Sequence, residues 1–222
     1  MIEAKHNNLA RFIFNAYEYK LLKKSFNRFI LLNDELQISD NKSVIFLPNH
    51  FSWWDGFFID FLVRNAEVNK KFHIIMLEEQ LKKYWFFRFL GATGFNPSNP
   101  KSIVKLSNYL SKLLNSPNNS VVFYPQGEIQ YYDQDLRVKD GLAYLLKHVN
   151  SQVDVFYPFF KILYFDQKLP DLFCKVYYGL QIETINNNYQ LFIEDFKKKY
   201  NDFRKSNINI NKKRNLFISE HD

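Results

Sequence analysis

The feature that most constrains the fold is the apolar run Val44–Leu47, which ends abruptly in a polar turn leading to His50. A short apolar run bounded by turn residues is typical of a buried strand, which we predict over Ser43–Leu47. A helix is predicted to follow over Trp53–Val63. His50 is therefore expected just beyond the carboxyl end of a strand, where open α/β sheets place their ligand crevices.

Asp55 follows His50 after five positions, and this spacing indicates a base with an orienting acid. Histidine is the one side chain whose unperturbed pKa, ~6.5, lets it accept a proton near neutral pH. A carboxylate on the other ring nitrogen fixes the tautomer. His73 and Glu78 have the same spacing, but His73 lies inside an apolar segment, which favours a strand histidine with a local hydrogen bond.

Asp55 also has a purely structural interpretation. Ser52 and Asp55 match a capping box, in which Ser52 is the N-cap and the Asp55 carboxylate satisfies backbone N–H groups. Capping accounts for Asp55 and leaves His50 unexplained.

A second apolar run, Ser120–Tyr124, ends in a Pro-x-Gly turn. Together the two segments resemble the glycerophospholipid (1-acylglycerol-phosphate) acyltransferase family, whose first motif is Asn-His-x4-Asp and whose third is Phe-Pro-Glu-Gly-Thr-Arg. The matching residues here are Asn49-His50 with Asp55, and Tyr124-Pro125-Gln126-Gly127-Glu128-Ile129. Later segments are also similar to the family, around Lys139-Asp140-Gly141 and Val155–Phe159.

The resemblance implies transfer of a fatty acyl group from a thioester, acyl-CoA or acyl carrier protein, to a hydroxyl of a lipid acceptor. These thioesters are substrates, and neither a cofactor nor a metal is expected. His50 is the expected base and Asp55 its orienting acid. Backbone N–H groups around Gly127 and the Gln126 side chain are expected to bind the oxyanion or the acceptor. The full set of expected substrate-binding residues is Asn49, Gln126, Gly127, Glu128 and Lys139.

Two arginines of the family pattern are missing, because Pro97 and Ile129 stand at their positions, and Gln126 replaces a glutamate. The family's arginines are understood to hold the acceptor phosphate, a task suited to a guanidinium fork. We therefore expect an acceptor other than a phosphate monoester. Two alternatives remain open: a lipid-binding or scaffolding relative with weak catalysis, and an N-acyltransferase acting on an aminolipid.

With 222 residues, the chain is predicted to form a single α/β domain, with a mixed, mostly parallel sheet flanked by helices. We divide it into an N-terminal amphipathic helical segment (1–32), an acyltransferase core (40–185) and a C-terminal helix and tail (186–222). The strands are expected near Ser43–Leu47, Phe72–Leu77, Ser120–Tyr124, Val153–Tyr164 and Phe173–Glu183.

The net charge of +7, with 18% aromatic residues, suits either nucleic acid or an anionic membrane. No nucleic-acid-binding motif is present, whereas Leu9–Ile30 places apolar residues mostly at helical spacing, with Lys20, Lys23, Lys24 and Arg28 between them. This pattern fits an interfacial helix and equally an ordinary helix covering the sheet. No apolar stretch is long enough to span a bilayer. We expect a peripheral protein on the cytoplasmic face of the membrane, with membrane lipid as partner and no nucleic acid.

Overall fold

A computed structural model describes residues 1–33, 38–66, 69–132, 134–149, 153–208 and 213–218. One eight-stranded sheet organises them. The strands are β1 (Arg28–Leu31), β2 (Ser43–Phe46), β3 (Lys71–Leu77), β4 (Ala92–Phe95), β5 (Asn119–Val122), β6 (Val153–Leu163), β7 (Asp171–Tyr178) and β8 (Arg214–Asn215). The helices are α1 (Asn8–Ser25), α2 (Asp55–Asn65), α3 (Glu78–Lys83), α4 (Pro100–Leu114), α5 (Gly141–Leu146), α6 (Ile182–Asn187) and α7 (Tyr189–Lys205), with a 3₁₀ helix at Trp85–Leu90.

The strand order is β4-β3-β5-β2-β6-β7-β1-β8. The pairings are parallel from β4 through to β6, and also between β7 and β1. The β6–β7 and β1–β8 pairs are antiparallel. The predicted α/β class with a mixed, mostly parallel sheet is thus confirmed. Because β2 and β5 are adjacent and parallel, with Phe46 opposite Val122, the two motif-bearing turns leave the same edge of the sheet.

Both faces of the sheet are covered, because successive residues of a strand point to opposite sides. Ile45 and Leu47 of the β2 segment belong to a core cluster with α4, α5, α6 and α7. Val44 and Phe46 belong to a second cluster with α1 and α2. A strand buried on both faces reads as a continuous apolar run, which is why β2 was visible in the sequence.

Several elements differ from the sequence-based predictions. Helix α1 ends at Ser25, and the apolar residues after it form β1, which pairs with β7. The predicted helical continuation to Ile30 is therefore wrong, because Phe29 and Ile30 are buried in the sheet. Strand β7 stops at Tyr178, so that Glu183 lies in α6 rather than in a strand. Strands β4 and β8 were not predicted, since runs of four and two residues are too short to show a period.

Helix α1 is fixed to α2 by buried ion pairs. Arg11 Nη1 donates to Asp60 Oδ1 at 2.7 Å, and Arg64 bonds both Asp60 and the fully buried Glu18. Burial and the nearby charge of Asp60 raise the pKa of Glu18 well above its usual value. Arg11 and Glu18 of α1 therefore face the protein, while the apolar side chains of Leu9, Phe12 and Ile13 near its start are exposed.

Candidate active site

His50 and Asp55 form a hydrogen-bonded pair beyond the carboxyl end of β2. His50 Nδ1 donates to Asp55 Oδ2 at 2.7 Å. The Asp55 side chain is fully buried, whereas that of His50 is 24% exposed. A carboxylate only accepts hydrogen bonds, so this contact puts the proton on Nδ1 and leaves Nε2 as the basic nitrogen. This arrangement is suited to proton abstraction from a substrate hydroxyl.

Asp55 also organises the turn, so its two interpretations coexist. The same Oδ2 atom accepts from the backbone N–H groups of Phe51 at 2.7 Å and Ser52 at 2.9 Å. Ser52 Oγ accepts from the N–H of Trp54, but the helix itself begins at Asp55, with Trp54 rather than Ser52 as its N-cap. Burial raises the pKa of Asp55, and the hydrogen bond from His50 opposes that rise.

Gln126 holds the backbone of His50 from the β5 side. Its Oε1 accepts from the His50 N–H at 2.5 Å, and its Nε2 donates to the His50 carbonyl at 2.9 Å. The N–H of Gln130 donates to the same carbonyl at 3.0 Å. Both polar ends of the buried Gln126 are thus used within the protein, so neither is free to bind an oxyanion or an acceptor in this arrangement.

Asn49 holds the turn from the β6 side in the same way. Its Nδ2 donates to the Phe160 carbonyl at 3.0 Å, and its Oδ1 accepts from the Phe160 N–H at 2.8 Å. Asn49 is buried, and both polar ends of its amide are used within the protein. Asn49 and Gln126 therefore hold the turn that carries His50 from both sides, toward β6 and toward β5 respectively.

The turn after β5 is built around Gly127, whose φ of +67° favours glycine. A Cβ added at Gly127 would lie 2.9 Å from Cδ of Lys139, so the lysine stem packs directly on the glycine. The Gly127 N–H donates to the Tyr124 carbonyl at 3.1 Å and is therefore already engaged. Glu128 and Lys139 are exposed and form an ion pair at 3.5 Å.

Tyr124 is a site residue that the sequence interpretation did not single out. Its ring stacks on the His50 imidazole, with centroids 4.4 Å apart and the planes inclined by 30°. Its pKa is raised well above the usual value by burial and by the charge of Asp55. The aromatic character of the matching position in the Phe-Pro-Glu-Gly motif was the available signal.

No arginine occupies either position at which the family pattern has one. Pro97 is exposed in the turn before α4, and Ile129 is 53% exposed. The nearby basic residues Lys101, Arg137 and Lys139 are exposed as well. The positions expected to hold an acceptor phosphate thus carry apolar side chains.

Comparisons with known proteins agree with the fold and with the family resemblance. The Acyltransferase family model matches residues 30–159, more than half of the chain, and the chain belongs to this family. Among solved structures it is similar to the 1-acyl-sn-glycerophosphate (LPA) acyltransferase PlsC from Thermotoga maritima, with 14% identity and a TM-score of 0.54 over 87% of this chain and 81% of that one. At that identity the likeness establishes the fold alone. A search among curated protein sequences finds no match.

Proposed function

We propose that this acyltransferase moves a fatty acyl group from a thioester, acyl-CoA or acyl carrier protein, to a hydroxyl of a membrane lipid. The observation that carries the proposal is the 2.7 Å contact between His50 Nδ1 and the buried Asp55, with the imidazole partly open to solvent. Membership of the Acyltransferase family supplies the reaction class.

In the proposed reaction, His50 Nε2 takes the proton of the acceptor hydroxyl while the hydroxyl oxygen attacks the thioester carbonyl. Asp55 stabilises the imidazolium that forms. Collapse of the tetrahedral intermediate breaks the carbon–sulfur bond, and the imidazolium returns its proton to the leaving thiolate. General base catalysis of this kind typically contributes about 10² to 10⁴ in rate. The lone Cys174 is buried, so the proposed attack is direct and involves no cysteine nucleophile.

The proposed acceptor is a neutral or zwitterionic hydroxyl lipid rather than a phosphate monoester. A phosphate dianion held without guanidinium partners would lose hydration without compensating charged hydrogen bonds. Pro97 and Ile129 offer no such bonds. We expect lysophosphatidic acid and glycerol 3-phosphate to be used at least ~10-fold less efficiently, a difference of only ~1.4 kcal/mol.

Membrane association is proposed from an exposed apolar surface on three neighbouring segments. Phe14 of α1 stacks on Phe57 of α2 at 5.9 Å and meets Phe87 of the 3₁₀ helix edge-on at 6.1 Å. Trp53, in the turn between His50 and Asp55, contacts Phe57 at 5.0 Å. The exposed members of this apolar surface are Leu9, Phe12, Ile13, Trp53, Trp85 and Phe86.

A bilayer is the natural partner for this surface, because soluble proteins rarely expose large contiguous apolar patches without function. Lys20, Lys23 and Lys24 of α1 are exposed and would add attraction to anionic lipid. Arg28, by contrast, bonds Asp171 at 2.5 Å and is withdrawn from this role. Across the described residues, each helix is too short or too polar to cross a membrane. From the apolar surface and the exposed lysines of α1, we propose peripheral binding at the cytoplasmic face.

Flotation with vesicles tests the membrane proposal. Changing Leu9, Phe12 and Ile13 together to serine should release the protein from anionic vesicles, because each substitution removes an apolar contact between α1 and the lipid. Tyr164→Ser is the control, since the 73% exposure of Tyr164 is close to the 74% of Phe12, but Tyr164 lies outside the apolar surface. Unchanged flotation of the triple variant would contradict the proposal.

The reaction is tested by incubating the purified protein with long-chain acyl-CoA or acyl carrier protein and a lipid extract, then identifying the acylated product by mass spectrometry. An ester on a neutral or zwitterionic lipid supports the proposal. An amide product would indicate an N-acyltransferase, and bound lipid without turnover would indicate a scaffolding protein. Preferential acylation of lysophosphatidic acid, abolished by Lys101→Ala, Arg137→Ala or Lys139→Ala, would show a phosphate site rebuilt from other residues.

A further inference from the structure

The imidazole of His50 is held from two directions. Asp55 binds its edge through Nδ1, and the Tyr124 ring covers one of its faces at a centroid distance of 4.4 Å. Tyr124 follows the carboxyl end of β5, and His50 follows that of β2, so the stack bridges two adjacent parallel strands. The two Gln126 contacts to the His50 backbone tie the turn after β2 to the turn that follows Tyr124.

A histidine base needs more than a partner at Nδ1. A single hydrogen bond along the ring edge leaves the imidazole free to swing about that contact, whereas a packed ring face restricts the swing. The electron-rich face of an aromatic ring also attracts a cation, which favours the imidazolium formed when the acceptor loses its proton. Building on the proposed function, we propose that Tyr124 is a positioning residue whose ring holds and stabilises the protonated imidazole of His50.

The hydroxyl of Tyr124 does not carry this role. It is buried and has no hydrogen-bond partner among the described residues. Burial and the charge of Asp55 raise the pKa of Tyr124 well above its usual value, so the hydroxyl stays protonated and supplies neither charge nor base. Two further tyrosines lie in this region. Burial raises the pKa of Tyr200 of α7 to about 12, with the charge of Arg204 opposing the rise and that of Asp55 adding to it. Tyr132 packs on Phe51 and Tyr200.

Two substitutions separate the ring from the hydroxyl. Tyr124→Leu keeps an apolar side chain but removes the aromatic face. Tyr124→Phe keeps the face, removes only the hydroxyl and restores the residue of the family motif. Tyr200→Phe is a control, because Tyr200 also feels the charge of Asp55 and is not stacked on His50.

The first measurement is an NMR titration of the His50 ring protons in the full chain, with the signal assigned by its absence in His50→Ala. We expect the midpoint in Tyr124→Leu to fall by about half to one pH unit, since losing the aromatic face disfavours the cation. Tyr124→Phe and Tyr200→Phe should titrate like the native protein. This readout needs no substrate, so it remains informative even if the proposed reaction is wrong.

The second measurement is the pH profile of acyl transfer. Tyr124→Leu should lose ~10-fold in kcat with KM within ~3-fold, and its acid limb should move to lower pH with the NMR midpoint. Tyr124→Phe should remain within ~3-fold of native kcat. Native titration and kcat in Tyr124→Leu would overturn the proposal. So would a Tyr124→Phe variant as impaired as Tyr124→Leu, because the hydroxyl would then be the active feature.

Discussion

Asp55→Asn separates the role of Asp55 toward His50 from its role in the turn. In the native protein a single oxygen, Oδ2, accepts three hydrogen bonds, from His50 Nδ1 and the N–H groups of Phe51 and Ser52. An asparagine oxygen can accept the same three, so the turn geometry is retained. What disappears is the negative charge facing the imidazole.

The stability change is expected to be moderate because two effects oppose each other. The raised pKa of Asp55 shows that its hydrogen bonds do not fully offset the burial of a charge, and asparagine relieves that burial. The new amide group, however, takes the place of Oδ1, which is buried and has no partner among the described residues. A buried donor without a partner costs about 1–3 kcal/mol. We expect a net loss within this range, a fall of ~2–12 °C in Tm.

The rate change should be much larger. Without the carboxylate, the imidazolium is not stabilised and the tautomer with a basic Nε2 is no longer enforced. A loss of ~10³ in kcat corresponds to ~4 kcal/mol of transition-state stabilisation, within the range for general base catalysis. The assay is acyl transfer at a temperature at which circular dichroism shows both proteins to be folded.

Asp60→Asn is the matched control on the same helix. Asp60 is also buried, but it pairs with Arg11 and Arg64 rather than with His50. Removing one member of a buried ion pair costs about 3–5 kcal/mol, so this variant should lose more stability than Asp55→Asn and keep its rate. Native kcat in Asp55→Asn, or an equal rate loss in both variants, would refute the catalytic role of Asp55 and leave only capping.

Three further predictions concern stability. Gln126→Glu restores the family residue but removes the donor to the His50 carbonyl and buries a charge. We expect chemical denaturation to show a loss of about 1–3 kcal/mol in the free energy of unfolding. Equal or higher stability would contradict the role of Gln126 in holding the His50 backbone. Burial raises the pKa of Glu18 in the folded protein well above 4.5, so the free energy of unfolding should fall as pH rises from 4.5 toward that raised pKa. Thermal melts of Glu18→Gln between pH 5 and 8 should lack this decline. An identical decline in the variant would exclude Glu18 as its source. Burial lowers the pKa of His73 from 6.5 to about 4. At 1.36 kcal/mol per pKa unit, this difference removes roughly 3 kcal/mol from the free energy of unfolding as pH falls from 6.5 to about 4. His73→Gln should therefore resist acid unfolding better, and an unchanged acid midpoint would contradict this.

The sequence was sufficient to predict the sheet class and the edge that carries the site. Strand β2 is buried on both faces, so its apolar run stood out in the sequence, together with His50 in the turn that follows it. The sequence was not sufficient to predict the strands at the margins of the sheet. Phe29 and Ile30 continue an approximately helical spacing, and only pairing with β7 makes them a strand, a long-range contact that local periodicity does not report.

Within the site, the histidine–carboxylate pair was predicted from spacing because both residues lie in one turn. The partners of Asn49 and Gln126 were not predictable in that way. Each amide pairs with the backbone of a residue far away in sequence, Phe160 and His50 respectively, so residues expected to face substrate instead hold the turn. The stack of Tyr124 on His50 likewise depends on the pairing of β2 with β5.

The most direct test of the central claim is the acceptor-dependent release of thiol from a long-chain acyl thioester by the native protein and by His50→Ala. His50 is partly exposed and its side chain makes one hydrogen bond, to Asp55, among those found in the described residues, so the variant should fold and melt close to the native protein. We expect a loss of at least ~10² in acceptor-dependent rate, because the base is removed. A His50→Ala protein that releases thiol at a rate comparable to native would contradict it.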